Sequence, residues 1–449
     1  MPRHSISHVT RVAAGARALR RTLAALPVLA TMLTLPARLP AQAETTRAPV
    51  ELRDLLGGLA RSDRRAAQLP LLERQSALRT RSVDREILPT ATAFAAGQYV
   101  SDVPSIGGTP MVPYQQYDAY VTLRQRLFDP TRSVRRDLES AQLDEAEARV
   151  HSALWQQRQQ LSDAFFTLLA LDAERRSVEA TRTELETQRR LAATRVDAGT
   201  ALASEVALLD AALLRHRQTL DDIDANRSAT HAVLVSLAGT PIASDAPLTL
   251  PNLDAAVSAA RLALDTIAAR PEYGQFDGTR AVLAARSRQI ARADLPKLAA
   301  FARTGYGRPG INPLARDFQS YWVAGLQLEW TPQLWGASSR DAEVQRLQQE
   351  IIATEEAQFR ESLLRAVQRD LAAMDRLGRS LESDDAIIAL HERVAGETRR
   401  RFAEGGITAG ELVDRETDLL TARTARDLHR VRLAEAQARF LTTVGQEIP

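Results

Sequence analysis

Arg195-Val-Asp-Ala-Gly-Thr-Ala-Leu-Ala-Ser-Glu205 returns 206 residues later as Arg401-Phe-Ala-Glu-Gly-Gly-Ile-Thr-Ala-Gly-Glu411. Both copies hold an arginine, a glycine four residues on, and a glutamate six beyond that. Gly199, Gly405 and Gly406 suit the left-handed position that closes a helix. Glu205 and Glu411 suit the first turn of a new helix, where a carboxylate favours the dipole. Fresh helices are expected near Ser204 and near Thr408 or Gly410. Each copy therefore reads as the tip of an antiparallel helical hairpin.

The helices behind these tips are very long. From Thr131 to Ala198, 68 residues contain neither glycine nor proline, in a chain with 21 glycines and 20 prolines. Those two residues are the ones that interrupt helices. Thr200–Ala238 and Glu411–Val444 are equally clean. Leu143, Ala146, Val150, Leu154, Leu161, Phe165 and Leu168 step by three, four or seven, the narrow seam of a coiled coil. Val344, Leu347 and Ile351 do the same, as do Leu363, Val367, Leu371 and Met374. At 1.5 Å per residue the first helix would reach ~100 Å, more than a compact domain holds. The matching stretch 337–404 contains Gly378 and Gly396, so a bend or fraying is expected there.

Outward from the helices, the whole chain reads as one unit written twice. Leu88-Pro89 is echoed by Leu295-Pro296, and Leu213-Leu214 by Leu419-Leu420. The first repeat spans 44–250: a helix, a β-hairpin at about 90–128 and a long helical hairpin at about 131–239. The second spans 251–449, with its β-hairpin at about 297–332 and its helical hairpin at about 337–444.

The β-hairpins have a membrane character. In Tyr321–Trp330, Trp322, Ala324, Leu326, Leu328 and Trp330 form one apolar face, while Tyr321, Val323, Gly325, Gln327 and Glu329 form the other. That period of two over ten residues matches a membrane-crossing strand with polar lumen and apolar outside. Asp118, Tyr120, Thr122, Arg124 and Arg126 alternate with Ala119, Val121 and Leu123 in the same sense. Thr90–Val100 and Lys297–Arg308 are the weaker strands, rich in Ala and Gly. Four strands cannot close a barrel, and an open edge in lipid leaves backbone groups unsatisfied. Several chains must then build the barrel together, with the tryptophans and tyrosines of the second hairpin as an aromatic belt. A small soluble β-domain with an aromatic core is the competing reading of these strands.

The N-terminus reads as an export signal. Residues 1–43 carry six arginines and no acid, an apolar run from Leu23 to Leu35, and Ala41-Gln42-Ala43 before Glu44. Without that segment 52 basic groups face 56 acidic ones. The mature chain is mildly acidic, which argues against a nucleic-acid partner. There is no cysteine, so no disulfide, no thiolate metal site and no lipidated N-terminus is expected. Beyond residue 43 no apolar stretch approaches the ~20 residues of a spanning helix.

Enzyme chemistry finds no foothold. The histidines left after residue 43 are His151, His216, His231, His391 and His429, and none has zinc-motif spacing. No phosphate-binding glycine loop or nucleophile elbow occurs. Adjacent acids such as Asp221-Asp222 and Asp384-Asp385 point about 100° apart on a helix. No cofactor, metal or catalytic residue is expected.

The order of strand pair and long helical hairpin, twice over, with R-x-x-x-G-(x)5-E at 195–205 and 401–411, resembles the TolC family of outer-membrane efflux proteins. The resemblance covers essentially the whole mature chain. It implies a mixed, mainly α fold: a duplicated unit of long antiparallel coiled-coil hairpins plus four strands given to a trimeric, twelve-stranded transmembrane β-barrel. It implies a homotrimer in the outer membrane with a periplasmic extension, not lipidated, acting as a passive exit duct in tripartite efflux or type I secretion. The partners implied are a periplasmic adaptor, an inner-membrane pump or secretion ATPase, and outer-membrane lipid.

Site residues follow from the same resemblance. Arg195, Gly199, Glu205, Arg401, Gly405 and Gly406 would form the periplasmic tip where the adaptor docks. Glu411 and Asp414, at i and i+3 on one helix face, would ring the narrowest point as a gate. Trp322, Leu326, Leu328 and Trp330 would face lipid. Two family features are missing: Ile407 stands where some members carry a locking arginine, and Phe402 where a tyrosine often hydrogen-bonds. The contrasting reading is a non-channel periplasmic coiled-coil adaptor or surface scaffold.

Overall fold

The computed structural model describes residues 49–262 and 270–449. The expected export segment, 1–43, lies outside them. Helices α1 (Leu52–Ser62) and α2 (Leu69–Arg85) lead into β1 (Thr90–Tyr99). A small loop hairpin, β2 (Ser105–Ile106) and β3 (Thr109–Pro110), precedes β4 (Gln115–Phe128). Then follow α3 (Thr131–Asp197) and α4 (Ala203–Ala238). The second half repeats the order with α5 (Asp254–Leu262), α6 (Pro271–Ala293), β5 (Lys297–Arg308), β6 (Gln319–Glu329), α7 (Ala337–Ala403) and α8 (Ala409–Thr443).

Helices α3 and α7 are each unbroken over 67 residues, about 100 Å at helical rise. The expected fraying at Gly378 or Gly396 does not occur. Neither glycine faces any neighbouring atom within 4 Å, so α7 loses some local propensity there but no packing, and the helix runs through. Their partners α4 and α8 are about half as long, 36 and 35 residues. Past Ala238 the chain turns at Gly239, in the left-handed conformation, and Pro241 follows, so α4 stops there. The strand-side half of α3 is lined instead by α2 and α6, tied by Arg79–Glu139, Arg132–Asp84 and a Thr279–Glu145 hydrogen bond.

The main core sits midway along the long helices. There Leu161, Phe165, Phe166, Leu168 and Leu169 of α3 are buried against α1, α5 and the ends of α4 and α8. The seam is narrow elsewhere, but at this level α3 presents a broad apolar face because it is surrounded on several sides. Val344, Leu347 and Ile351 of α7 keep the helical step yet lie exposed on the single chain.

All four long strands form one antiparallel sheet in the order β1-β4-β5-β6. The central pairing, β4 with β5, joins the two repeats and sets Thr122 opposite Arg303. Strands β1 and β6 are its two edges.

Candidate functional site

The register of the sheet sorts side chains onto two faces. One carries Trp322, Leu326 and Leu328 of β6, with Trp330 just past its end, at 78%, 69%, 68% and 63% exposure. Ala300 and Leu298 stand opposite Leu326 and Leu328, and Ala302 opposite Ala324, while Trp322 pairs with Thr304. Aromatic rings gather at the loop end of this face, where Phe318 stacks on both Tyr117 and Tyr306. At the helix end Trp330 donates its indole N–H to the Asp294 carbonyl at 3.0 Å. Ser320, paired with Tyr306, and Trp330 are ten residues apart. That is about 33 Å along a strand, or about 25 Å at a 40° tilt, the height of a membrane barrel's apolar band.

The other face carries the charged and hydrogen-bonding groups, bonded across strands, with Phe94, Phe301 and Val323 among them. Tyr321 lies over Gly305 and donates to Asp118 Oδ1 at 2.6 Å. A Cβ at Gly305 would sit 2.6 Å from the Tyr321 ring, so only glycine admits this crossing. Arg124 donates to Gln327 Oε1 at 2.6 Å, and Arg303 to Thr122 Oγ1 at 3.2 Å with its guanidinium over the Tyr120 ring. Just past the sheet, Asp129 starts α3. Burial alone would raise its pKa, but hydrogen bonds from Thr131 and the charges of Arg135 and Lys297 outweigh that and hold it below the ordinary range.

At the opposite end of the long helices the two tips are built alike. Thr200 N–H donates to the Arg195 carbonyl and Gly199 N–H to that of Val196. Gly406 N–H donates to the Arg401 carbonyl and Gly405 N–H to that of Phe402. This is the same two-bond helix closure, with Gly199 at φ 72° and Gly405 at φ 81°. Gly406 has no positive φ, so the second glycine of the pair is not demanded by backbone conformation. Helix α8 begins on Thr408, whose hydroxyl accepts from Glu411 N–H at 3.3 Å.

Arg195 ties the tips together. Its Nη1 donates to the Phe402 carbonyl at 2.6 Å, and its guanidinium lies 5.4 Å from the Phe402 ring centre. A cation suits the carbonyl-rich end of α7. Arg401, its counterpart, is exposed and among the described residues pairs only with Glu397 on its own helix. Glu411 and Asp414 are both exposed on the outside of α8 and have no ion-pair partner among the described residues. Glu205 is half-buried, with one carboxylate oxygen enclosed and unpartnered.

No family model and no curated protein sequence matches the chain. Solved structures do. The outer membrane protein VceC of Vibrio cholerae is 14% identical, over 89% of this chain and 97% of that one, with a TM-score of 0.67. The open-state MtrE outer membrane channel of Neisseria gonorrhoeae is 17% identical over 88% and 89%, TM-score 0.66. The outer-membrane channel OprN is 16% identical over 88% and 89%, TM-score 0.67. The chain has the outer-membrane channel fold. It is the fold implied by the TolC resemblance, reached here from the backbone and independently of the two tip motifs.

Within this channel fold, the sequence-predicted residues gather at the two ends. Trp322, Leu326, Leu328 and Trp330 share the exposed apolar face of β6. Arg195, Gly199, Arg401, Gly405 and Gly406 all belong to the tips, but only Arg195 reaches from one tip to the other. The departures at 402 and 407 acquire a role. Phe402, fully buried, joins Leu185, Ala192, Leu209, Ala212, Ala409 and Leu412 in an apolar tip core, with Ile407 packed against it.

One cluster was missed by sequence reasoning. Arg399 of α7 grips Glu416 of α8 at 2.6 and 2.7 Å and also meets Glu184 of α3 at 3.1 Å. Glu416 is only 2% exposed. Its bonds, against the cost of burial, push the Arg399 guanidinium pKa further up and keep it charged. Opposite charges on the two helices flanking each glycine turn were the available signal. Arg189 and Asp210 do the same across the first tip, at 3.0 Å.

Proposed function

We propose that the chain is one third of an outer-membrane channel, a passive duct whose barrel crosses the membrane and whose helices span the periplasm. The sheet carries this reading. It has an apolar exposed face, a polar hydrogen-bonded face and two unpaired edges, β1 and β6, a combination that lipid tolerates only in a closed barrel. Three copies supply twelve strands. The exposed apolar stripe Val344, Leu347 and Ile351 on α7, and Leu71 and Leu78 on α2, offer faces for neighbouring copies.

The tips support the same threefold assembly. Arg195 docks on the Phe402 carbonyl at the end of α7. By the repeat, Arg401 is placed to dock on the Val196 carbonyl of a neighbouring copy, the equivalent position on α3. Glu411 and Asp414 would then ring the axis as six carboxylates and attract cations. The tips are the docking point for a periplasmic adaptor, with an inner-membrane pump or secretion ATPase supplying the energy for efflux or secretion.

Single-channel recording of the purified protein in a planar bilayer tests this. Discrete openings that divalent cations block are expected. A protein that never inserts, or inserts without conducting after the tip acids are removed, would overturn the channel reading.

A further inference from the structure

The polar face of the sheet has a charge imbalance that the duct reading does not require. Its register places Arg124 and Arg126 of β4 and Lys297 and Arg303 of β5 on this face, against Asp118 and Glu329. Arg126 is compensated by Glu86 at 2.8 Å, and Lys297 stands opposite Glu329 in the register. Asp118 is engaged by the Tyr321 hydroxyl nearer the loops. Arg124 and Arg303 are left. Every partner they have is neutral: Gln327 for Arg124, Thr122 and the Tyr120 ring for Arg303.

Neither arginine has an acid within salt-bridge distance among the described residues. They are also diagonal neighbours, because Arg124 pairs with Phe301 and Arg303 with Thr122. Such backbone positions lie roughly 7–8 Å apart, and the two side chains then lean apart, Arg124 to the Gln327 row and Arg303 to the Tyr120 row. The neutral partners fix both guanidiniums along the wall and leave donors free to face the lumen.

We propose that Arg124 and Arg303 form a basic girdle inside the barrel that binds and favours solutes carrying two or more anionic oxygen groups. The proposal rests on the threefold channel reading, which brings six guanidiniums into one stretch of the lumen, three nearer the helices and three nearer the loops. Twelve strands spaced 4.8 Å and tilted 40° enclose a radius of about 12 Å. Side chains lining the wall reduce the distance from axis to charge to about the Debye length of 8 Å at physiological salt. A solute on the axis therefore feels all six, and low-dielectric walls focus their field. The duct becomes bipolar, with carboxylates at the tip and guanidiniums at the exit.

The probe is tripolyphosphate, titrated calorimetrically into the detergent-solubilised assembly. This needs no open pore. Wild type should bind, more weakly as salt rises. Arg124→Lys with Arg303→Lys should retain binding, and Arg124→Gln with Arg303→Gln should weaken it by roughly tenfold or more. Gln327→Glu, which sets a carboxylate against Arg124 with no change of shape, should also weaken it, and it serves should the double glutamine variant fail to assemble. In bilayers, the potassium-to-chloride permeability ratio should rise in both weakened variants. No binding by wild type, or equal binding by Gln327→Glu, overturns the girdle. Binding by an assembly that does not conduct even after the tip acids are removed would keep the girdle and reject the duct.

Discussion

Leu326→Arg and Gln327→Glu place one charge each at adjacent residues of β6, on opposite faces. Leu326 pairs with Ala300 in mid-strand and is 69% exposed on the apolar face. If that face meets lipid, an arginine near the bilayer midplane costs about 2–4 kcal/mol. Threefold assembly multiplies this to about 6–12 kcal/mol per barrel, enough to suppress insertion almost entirely. Gln327 lies on the polar face with Arg124 2.6 Å from its Oε1. A glutamate there gains a charge-assisted bond and should leave assembly unchanged or improved. The assay is the yield of heat-modifiable oligomer in outer-membrane fractions, with total expression as reference. Wild-type yield from both variants would refute the facing assignment, and loss of both would point to a general intolerance of strand substitutions.

The remaining predictions concern the helices. Arg195→Ala removes a hydrogen bond to a carbonyl and a ring contact, together worth about 2–3 kcal/mol at a half-buried site; a lower melting temperature and more frequent openings are expected. Arg401→Ala should leave the melting of the separated chain unchanged and weaken only the oligomer, seen as dissociation at lower temperature. Glu411→Ala combined with Asp414→Ala should raise conductance and relieve block by divalent cations in bilayer recordings. Burial raises the Asp370 pKa above its ordinary 3.8, with Arg439 and the Thr443 hydroxyl opposing. A raised carboxyl pKa means stability present at low pH and lost as pH rises through the folded value. Asp370→Asn should therefore raise the melting temperature at pH 7, and the gain should shrink as pH falls towards 4; a gain independent of pH would refute this account.

Much of this architecture was legible because it is periodic. The absence of glycine and proline over 131–198 announces α3, and strict alternation in 321–330 announces the two faces of β6. Both are local signals. What stayed hidden is pairing between elements about two hundred residues apart. The apolar tip core needs Leu185, Leu209, Phe402 and Leu412 together, and no single helix shows that pattern. Phe402 and Ile407 looked like losses of polar contacts, whereas burial makes them gains in packing. Gly378 and Gly396 suggested fraying because propensity was read without packing. Gly305 looked like a weakness of β5, yet its missing Cβ is the space Tyr321 crosses to reach Asp118.

The Arg399 cluster separates the stability of the tip from its opening. Its bonds to Glu416 join α7 to α8 within one hairpin, and its bond to Glu184 joins that hairpin to α3. A tip that opens by swinging the α7–α8 hairpin as a unit keeps the first and breaks the second, together with the Arg195–Phe402 bond. Two partly exposed charged contacts are worth about 2–5 kcal/mol. That is close to the roughly 5.5 kcal/mol that a docking partner must supply to move a gate from 1:99 to 99:1, so the barrier suits a gate opened by binding. Glu184→Gln should then raise open probability in bilayers with little change in melting temperature. Glu416→Gln leaves Arg399 half-buried beside a weaker partner and should lower the melting temperature, because the hairpin itself is loosened. If both substitutions changed melting alike and neither changed open probability, the hairpins would not move as units, and the Arg399 cluster would be a structural brace rather than a latch.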